Sequence, residues 1–139
     1  MTAKPERVVL DTNVLLSAVL FGGRPGELVE LARIGRIRAV TSLHILQEFQ
    51  RILTQPRFGI SAALAEDLAL EIATIMDVVP VGPSQAVWTS DPADDPIVET
   101  ALHGQAAVLV TGDRRLLQAA VPGVSILTVA QALERIAGR

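Results

Sequence analysis

Four acidic residues, spread over most of the chain, each sit where an apolar segment would hold them still: Asp11 after Val8-Val9-Leu10, Glu48 beside a helical stripe, an aspartate at 94 or 95 before Ile97-Val98, and Asp113 after Val108-Leu109-Val110. Carboxylates crowded together raise one another's pKa unless positive charge joins them. A hard divalent cation resolves that conflict. The chain of 139 residues has no cysteine and only two histidines, which are not paired. An all-oxygen set of this kind points to Mg²⁺ or Mn²⁺ and away from zinc. Carboxylate-held Mg²⁺ serves phosphate chemistry, and one or two ions could stabilise the attacking and leaving oxygens of a phosphodiester displacement. No activated Ser, Cys or Lys nucleophile accompanies the acids.

The elements that must position these acids follow from periodicity. Val8–Leu10 fits a short buried strand, and Asp11 follows at the sheet edge, with Thr12 and Asn13 able to cap the next helix. Val14 to Leu20 reads as a buried helix stopped by Gly22-Gly23, and Pro25 opens a second helix through about Gly35. Ile37 to Val40 is a strand, and Thr41-Ser42 starts a third helix. There Ile45, Leu46, Phe49, Ile52 and Leu53 form one stripe, with Glu48 at its rim. Ser61 to Met76 is an Ala- and Leu-rich helix, and Val78 to Val81 an edge strand limited by Pro80. Gly82 to Ala93 is expected to be an irregular loop. Asp91, Asp94 and Asp95 precede a helix whose positive end they complement, although capping accounts for one acid better than for three. Ala106 to Val110 is a strand ending in Thr111-Gly112-Asp113, Arg114 to Ala120 a helix, Val124 to Leu127 a last strand, and Thr128 caps a closing helix to about Ala137.

Strands alternating with helices predict a single α/β domain over residues 1–139, core about 7–137, with a mostly parallel sheet covered on both faces. Ligands of such sheets bind outside the carboxyl ends of the strands, where Asp11 and Asp113 both fall. Half of the residues are hydrophobic and 3% aromatic. No apolar run approaches the ~20 residues that span a bilayer, and Met1 to Arg7 is too short and polar for a signal peptide, so a cytoplasmic protein with no membrane association is expected. A net charge of −3 argues against coating nucleic acid through a general positive field. The cluster Arg33, Arg36 and Arg38, or Arg114 and Arg115, could still grip phosphates.

Leu10-Asp11-Thr12-Asn13-Val14, the helical Glu48, the stretch Asp91 to Ala101, and Val110-Thr111-Gly112-Asp113 with Arg114-Arg115-Leu116-Leu117 together resemble the PIN-domain family of metal-dependent ribonucleases. The likeness is particularly to the VapC-like toxins of prokaryotic toxin–antitoxin systems. It implies a three-layer α/β/α sandwich, a Mg²⁺ or Mn²⁺ site formed by Asp11, Glu48, Asp94 and Asp113, and supporting roles for Asn13 and Thr111. Asp95 stands second to Asp94 for the third acid. It also implies cleavage of single-stranded RNA and a small antitoxin protein as partner, while the high apolar fraction, which leaves surface Leu, Val and Ala, suggests a homodimer. Two rival readings stand beside it. In a phosphotransfer or phosphatase-type domain Asp11 would be the nucleophile, although no lysine follows Lys4 to neutralise an acyl phosphate. A PIN-like module could instead bind RNA or protein without cutting.

Overall fold

The computed structural model describes residues 4–82 and 86–138; Pro83, Ser84 and Gln85 of the expected loop, and the ends of the expected domain, lie outside the described residues. Five strands form one sheet in the order β3-β2-β1-β4-β5, every neighbouring pair parallel: β1 Arg7–Leu10, β2 Arg38–Thr41, β3 Asp77–Val78, β4 Val108–Val110 and β5 Ser125–Leu127. The helices are α1 Thr12–Phe21, α2 Gly23–Arg33, α3 Leu43–Leu53, α4 Ala62–Thr74, α5 Asp95–His103, α6 Arg114–Leu117 and α7 Val129–Ala137. Together they make the α/β/α sandwich the sequence predicts.

Beyond Arg7 the central strands β1 and β4 are apolar because both faces are covered. Val8, Val9, Leu10, Val108, Leu109 and Val110 are all buried, α5 packs on β1, β2 and β4, and α7 packs on β4 and β5. The chain builds outward from β1 to β3, then returns to place β4 on the other side of β1. The reversal puts the topological switch point between β1 and β4, and their carboxyl ends open a crevice there. Asp11 and Asp113 are the residues that emerge on its two sides.

Several boundaries differ from those expected. α2 begins at Gly23, two residues before Pro25, because Gly22 and Gly23 take φ of 71° and 57° and turn the chain directly from α1 into α2. The edge strand is Asp77–Val78 rather than Val78 to Val81. Its last ladder bond is Val79 N to Thr41 O at 2.8 Å, after which Pro80 has no donor to offer. Asp77 opens that strand because Arg7 and Arg38, at the starts of β1 and β2, both pair with it.

These ion pairs also locate the Arg33 to Arg38 cluster. Arg38 is engaged at the amino-terminal edge of the sheet and Arg33 is paired with Glu30 on its own helix. The cluster therefore lies at the opposite end of the strands from the acids, and the expectation that it grips phosphate there is corrected.

One close approach constrains the core beneath the site. Gly104 follows α5 and is buried against β2; a Cβ there would stand 2.5 Å from Val40 Cγ1 and 2.9 Å from Thr100 O. Both neighbours are held by the sheet and the helix. Gly104→Ala is expected to destabilise the domain by about 1–3 kcal/mol, the usual cost of overpacking, read as a lower midpoint in urea at unchanged slope.

Candidate metal centre

Asp11 leaves β1 in an extended conformation and is 5% exposed, so its carboxylate is held firmly by the surrounding scaffold. Its Oδ1 accepts from Thr12 N at 2.7 Å, capping α1. Its Oδ2 accepts from Thr111 Oγ1 at 2.7 Å and from Asn13 Nδ2 at 3.2 Å. Thr111, fully buried after β4, also receives Asp113 N at 3.0 Å, so one hydroxyl ties the two strand ends together. Asn13 closes the same junction from the other side, its Oδ1 accepting from Gly112 N at 3.2 Å. Asp113 caps α6 through Oδ1, which accepts from Arg115 N at 2.8 Å.

Glu48 reaches the crevice from α3, where Ser42 caps the helix and bonds Thr100 of α5 at 2.9 Å, fixing the helix against its neighbour. Its carboxylate stands 3.8 Å from His44 Nε2, one turn earlier. His44 is thus beside an acid. The fourth acid is Asp94, at the end of a short 3-10 turn, Pro92–Asp94, that leads into α5. Its Oδ2 is buried and has no hydrogen-bond partner among the described residues.

Asp11, Glu48, Asp94 and Asp113 line one cavity of about 220 Å³, with Thr12, Asn13, Leu16, Ile52, Ala93 and Ile97 completing the wall and Arg51 at its side. Among the described residues no three acidic or imidazole groups are already drawn into a cage around a point. The four carboxylates surround a shared space instead. Their electrostatics agree with that arrangement. Burial pushes the Asp11 carboxyl up, the hydrogen bonds from Thr111 and Thr12 pull it back, and the charges of Glu48 and Asp113 raise it further. Asp94 is pushed up to about 6, first by burial and then by the negative charges of Asp113, Asp91 and Asp11, with Arg115 opposing.

Asp95 does different work. It is 5% exposed and turns away from the cavity, its Oδ1 accepting from Trp88 N at 3.0 Å and Thr89 N at 3.3 Å. Glu99, one turn further along α5, accepts from Trp88 Nε1 at 3.1 Å. These two acids pin the segment before the 3-10 turn, and through it Asp94. Asp91 caps that turn, accepting from Ala93 N, and its Oδ2 lies 3.4 Å from Arg115. The run of aspartates therefore divides among a cap, a cavity carboxylate and a loop anchor.

Glu99 and Arg51 were not legible as site-related residues from the motifs. For Arg51 the signal was present: three positions after Glu48 on the same helix, it had to share Glu48's flank. For Glu99 the only cue was an acid four after Asp95, and its partner Trp88 came from a segment without periodicity.

An α/β domain with an acid-walled crevice at its switch point is the class these observations define. The chain belongs to the PIN-domain family, whose model matches residues 7–115. A sequence search of curated proteins found no match. Among solved structures, PAE2754 from Pyrobaculum aerophilum is similar, with a TM-score of 0.65 and 18% identity over 96% of this chain and 91% of that one. VapBC2 from Rickettsia felis, solved bound to a DNA fragment from its promoter, is similar with a TM-score of 0.62 and 13% identity, over 88% of this chain and 98% of the other. At these identities the likeness is one of fold.

Proposed function

We propose that this PIN domain is a Mg²⁺- or Mn²⁺-dependent endoribonuclease that cuts single-stranded RNA, acting as the toxin of a toxin–antitoxin pair. The observation that carries the reading is the convergence of four carboxylates, from four separate segments, on one cavity at the carboxyl ends of β1 and β4. The buried, unpartnered Asp94 Oδ2 and the raised Asp11 and Asp94 carboxyls fit a hard divalent cation, which would supply the missing positive charge. Asp11, Glu48, Asp94 and Asp113 would hold it. When bound, such an ion polarises the phosphodiester and lowers the pKa of water for attack at phosphorus. Asn13 and Thr111 keep Asp11 in one orientation, and Thr111 also holds the backbone at Asp113. Leu16, Ile52 and Ile97 narrow the cavity with apolar wall and exclude bulk water from part of it.

The phosphotransfer reading gains nothing from the geometry. Lys4 precedes β1, at the far edge of the sheet from Asp11, so no lysine stands by to neutralise an acyl phosphate. The toxin assignment rests on the resemblance and on the VapBC2-like fold. The antitoxin partner and a homodimer belong to the same reading. Its proposed site of action is the cytoplasm, and among the described residues no helix is long and apolar enough to cross a membrane.

The test is cleavage of a single-stranded RNA oligonucleotide with Mg²⁺ or Mn²⁺ and with EDTA, alongside expression of the chain alone in a bacterial host. Divalent-dependent cutting and growth arrest are expected. RNA binding with no cutting under any metal would favour the binding-module reading, and cutting without growth arrest would favour a processing nuclease. Asp94 and Asp95 are separable in the same assay. Asp94→Asn is expected to lose cleavage at least tenfold more than Asp95→Asn, whose amide oxygen still accepts from Trp88 N and Thr89 N. Equal losses would return Asp95 to the ligand set.

A further inference from the structure

The cavity has a cost that its own acids create. Four carboxylates in a chain of net charge −3 repel a polyanionic substrate before any contact is made. Among the described residues Arg7, Arg33, Arg38, Arg115 and Arg135 are each paired with a carboxylate. Arg51 is the basic side chain among the residues lining the cavity. Its guanidinium forms no ion pair or hydrogen bond among the described residues, although Glu48 lies one turn before it on α3. An arginine that served to neutralise the acids would be expected in salt-bridge contact with one of them. This one is exposed, with its charged end available to a ligand.

We infer that Arg51 is a substrate-positioning residue: it receives the phosphate adjacent to the one being cut, and so makes the site favour a strand over an isolated phosphodiester. The inference rests on the nuclease reading and names a residue within it. Three residues of helix carry Arg51 about 4.5 Å along the axis from Glu48, which sets it beside the carboxylates instead of over their centre. A planar guanidinium at that place can take two oxygens of one phosphate. Arg115 is held by Asp91 and is not available in the same way.

The experiment compares wild type, Arg51→Ala, Arg51→Lys and, as a control at the far end of the sheet, Arg36→Ala. Two substrates are used with Mn²⁺: a short single-stranded RNA, and bis(p-nitrophenyl) phosphate, which has one phosphodiester and no neighbour. Arg51→Ala is expected to raise KM for the RNA about tenfold at unchanged kcat, with hydrolysis of the small diester unaltered. Arg51→Lys should recover part of the loss, Arg36→Ala should match wild type, and added salt should shrink the wild-type advantage. An unchanged KM for RNA overturns the inference and leaves the nuclease reading standing. Equal loss of kcat on both substrates also overturns it, because Arg51 would then act at the reacting phosphate or through Glu48. Wild type that cuts neither substrate removes the nuclease reading, and this inference with it.

Discussion

Asp11→Asn is expected to reduce divalent-dependent RNA cleavage by on the order of a thousandfold while leaving the domain folded. Lewis-acid stabilisation by a carboxylate-held ion is worth several kcal/mol in the transition state, and each 1.36 kcal/mol is a factor of ten. The amide nearly matches the carboxylate in shape, and its oxygen can still accept from Thr12 N. The other position turns from acceptor to donor and now faces Thr111 Oγ1 and Asn13 Nδ2. Thr111 can rotate its hydroxyl to accept, but it already receives Asp113 N. Removing a buried charge whose carboxyl is raised by burial offsets part of that conflict, so stability in EDTA should change little. Circular dichroism and urea unfolding check the fold, and single-turnover cleavage checks the loss. Wild-type rates from the variant would remove Asp11 from the chemistry.

The second large effect is on pH dependence. The Asp94 carboxyl is raised from its ordinary 3.8 to about 6, so between those values the folded protein binds more protons than the unfolded chain. The favourable contribution is therefore fully present below 3.8 and is lost as pH rises through about 6. In EDTA the protein should become less stable over that window. Because much of the side chain is solvated, the loss at Asp94 is set at about 1 kcal/mol after screening. Asp94→Asn should remove that slope and be the more stable protein at pH 7.5 in EDTA. Saturating Mn²⁺ should reverse the order, because wild type then gains the binding free energy and the variant does not. At limiting Mn²⁺ cleavage should rise with pH as Asp94 gives up its proton, with a midpoint that falls as Mn²⁺ is raised, because ion and proton compete for the carboxylate. Urea titrations at pH 4, 5, 6 and 7.5, with EDTA and with Mn²⁺, read all three; identical pH profiles for wild type and variant would contradict the assignment of Asp94.

How far the sequence discloses this arrangement depends on the kind of signal. Buried strands are nearly continuous apolar runs, so β1 and β4 could be placed within a residue or two, and the acids at their ends followed at once. Glu48 was legible because a five-residue apolar stripe defines its helix face. The choice between Asp94 and Asp95 could not be made locally. Adjacent residues at the start of a helix point about 100° apart, and which one faces the crevice depends on the turn before it. The structure shows what decides it: Asp95 and Glu99 engage Trp88 and Thr89, which leaves Asp94 on the cavity side. The edge strand was misplaced for a related reason. Val78-Val79-Pro80-Val81 is the better strand by propensity, but ion pairing of Asp77 with Arg7 and Arg38, residues far away in the chain, sets the register. The Arg38–Asp77 pair, with Arg33–Glu30, removed the Arg33 to Arg38 cluster from the phosphate-binding role.

On the proposed function, Asp11, Glu48, Asp94 and Asp113 jointly hold a divalent ion. Titration of Mn²⁺ into the metal-free protein, followed by calorimetry and by the electron paramagnetic resonance of the free ion, tests it without any substrate. Wild type should bind Mn²⁺ with a proton released near pH 6, and the variant with all four acids changed to their amides should not bind while remaining folded. Binding of Mn²⁺ with the same affinity by that variant, or none by wild type, would contradict it.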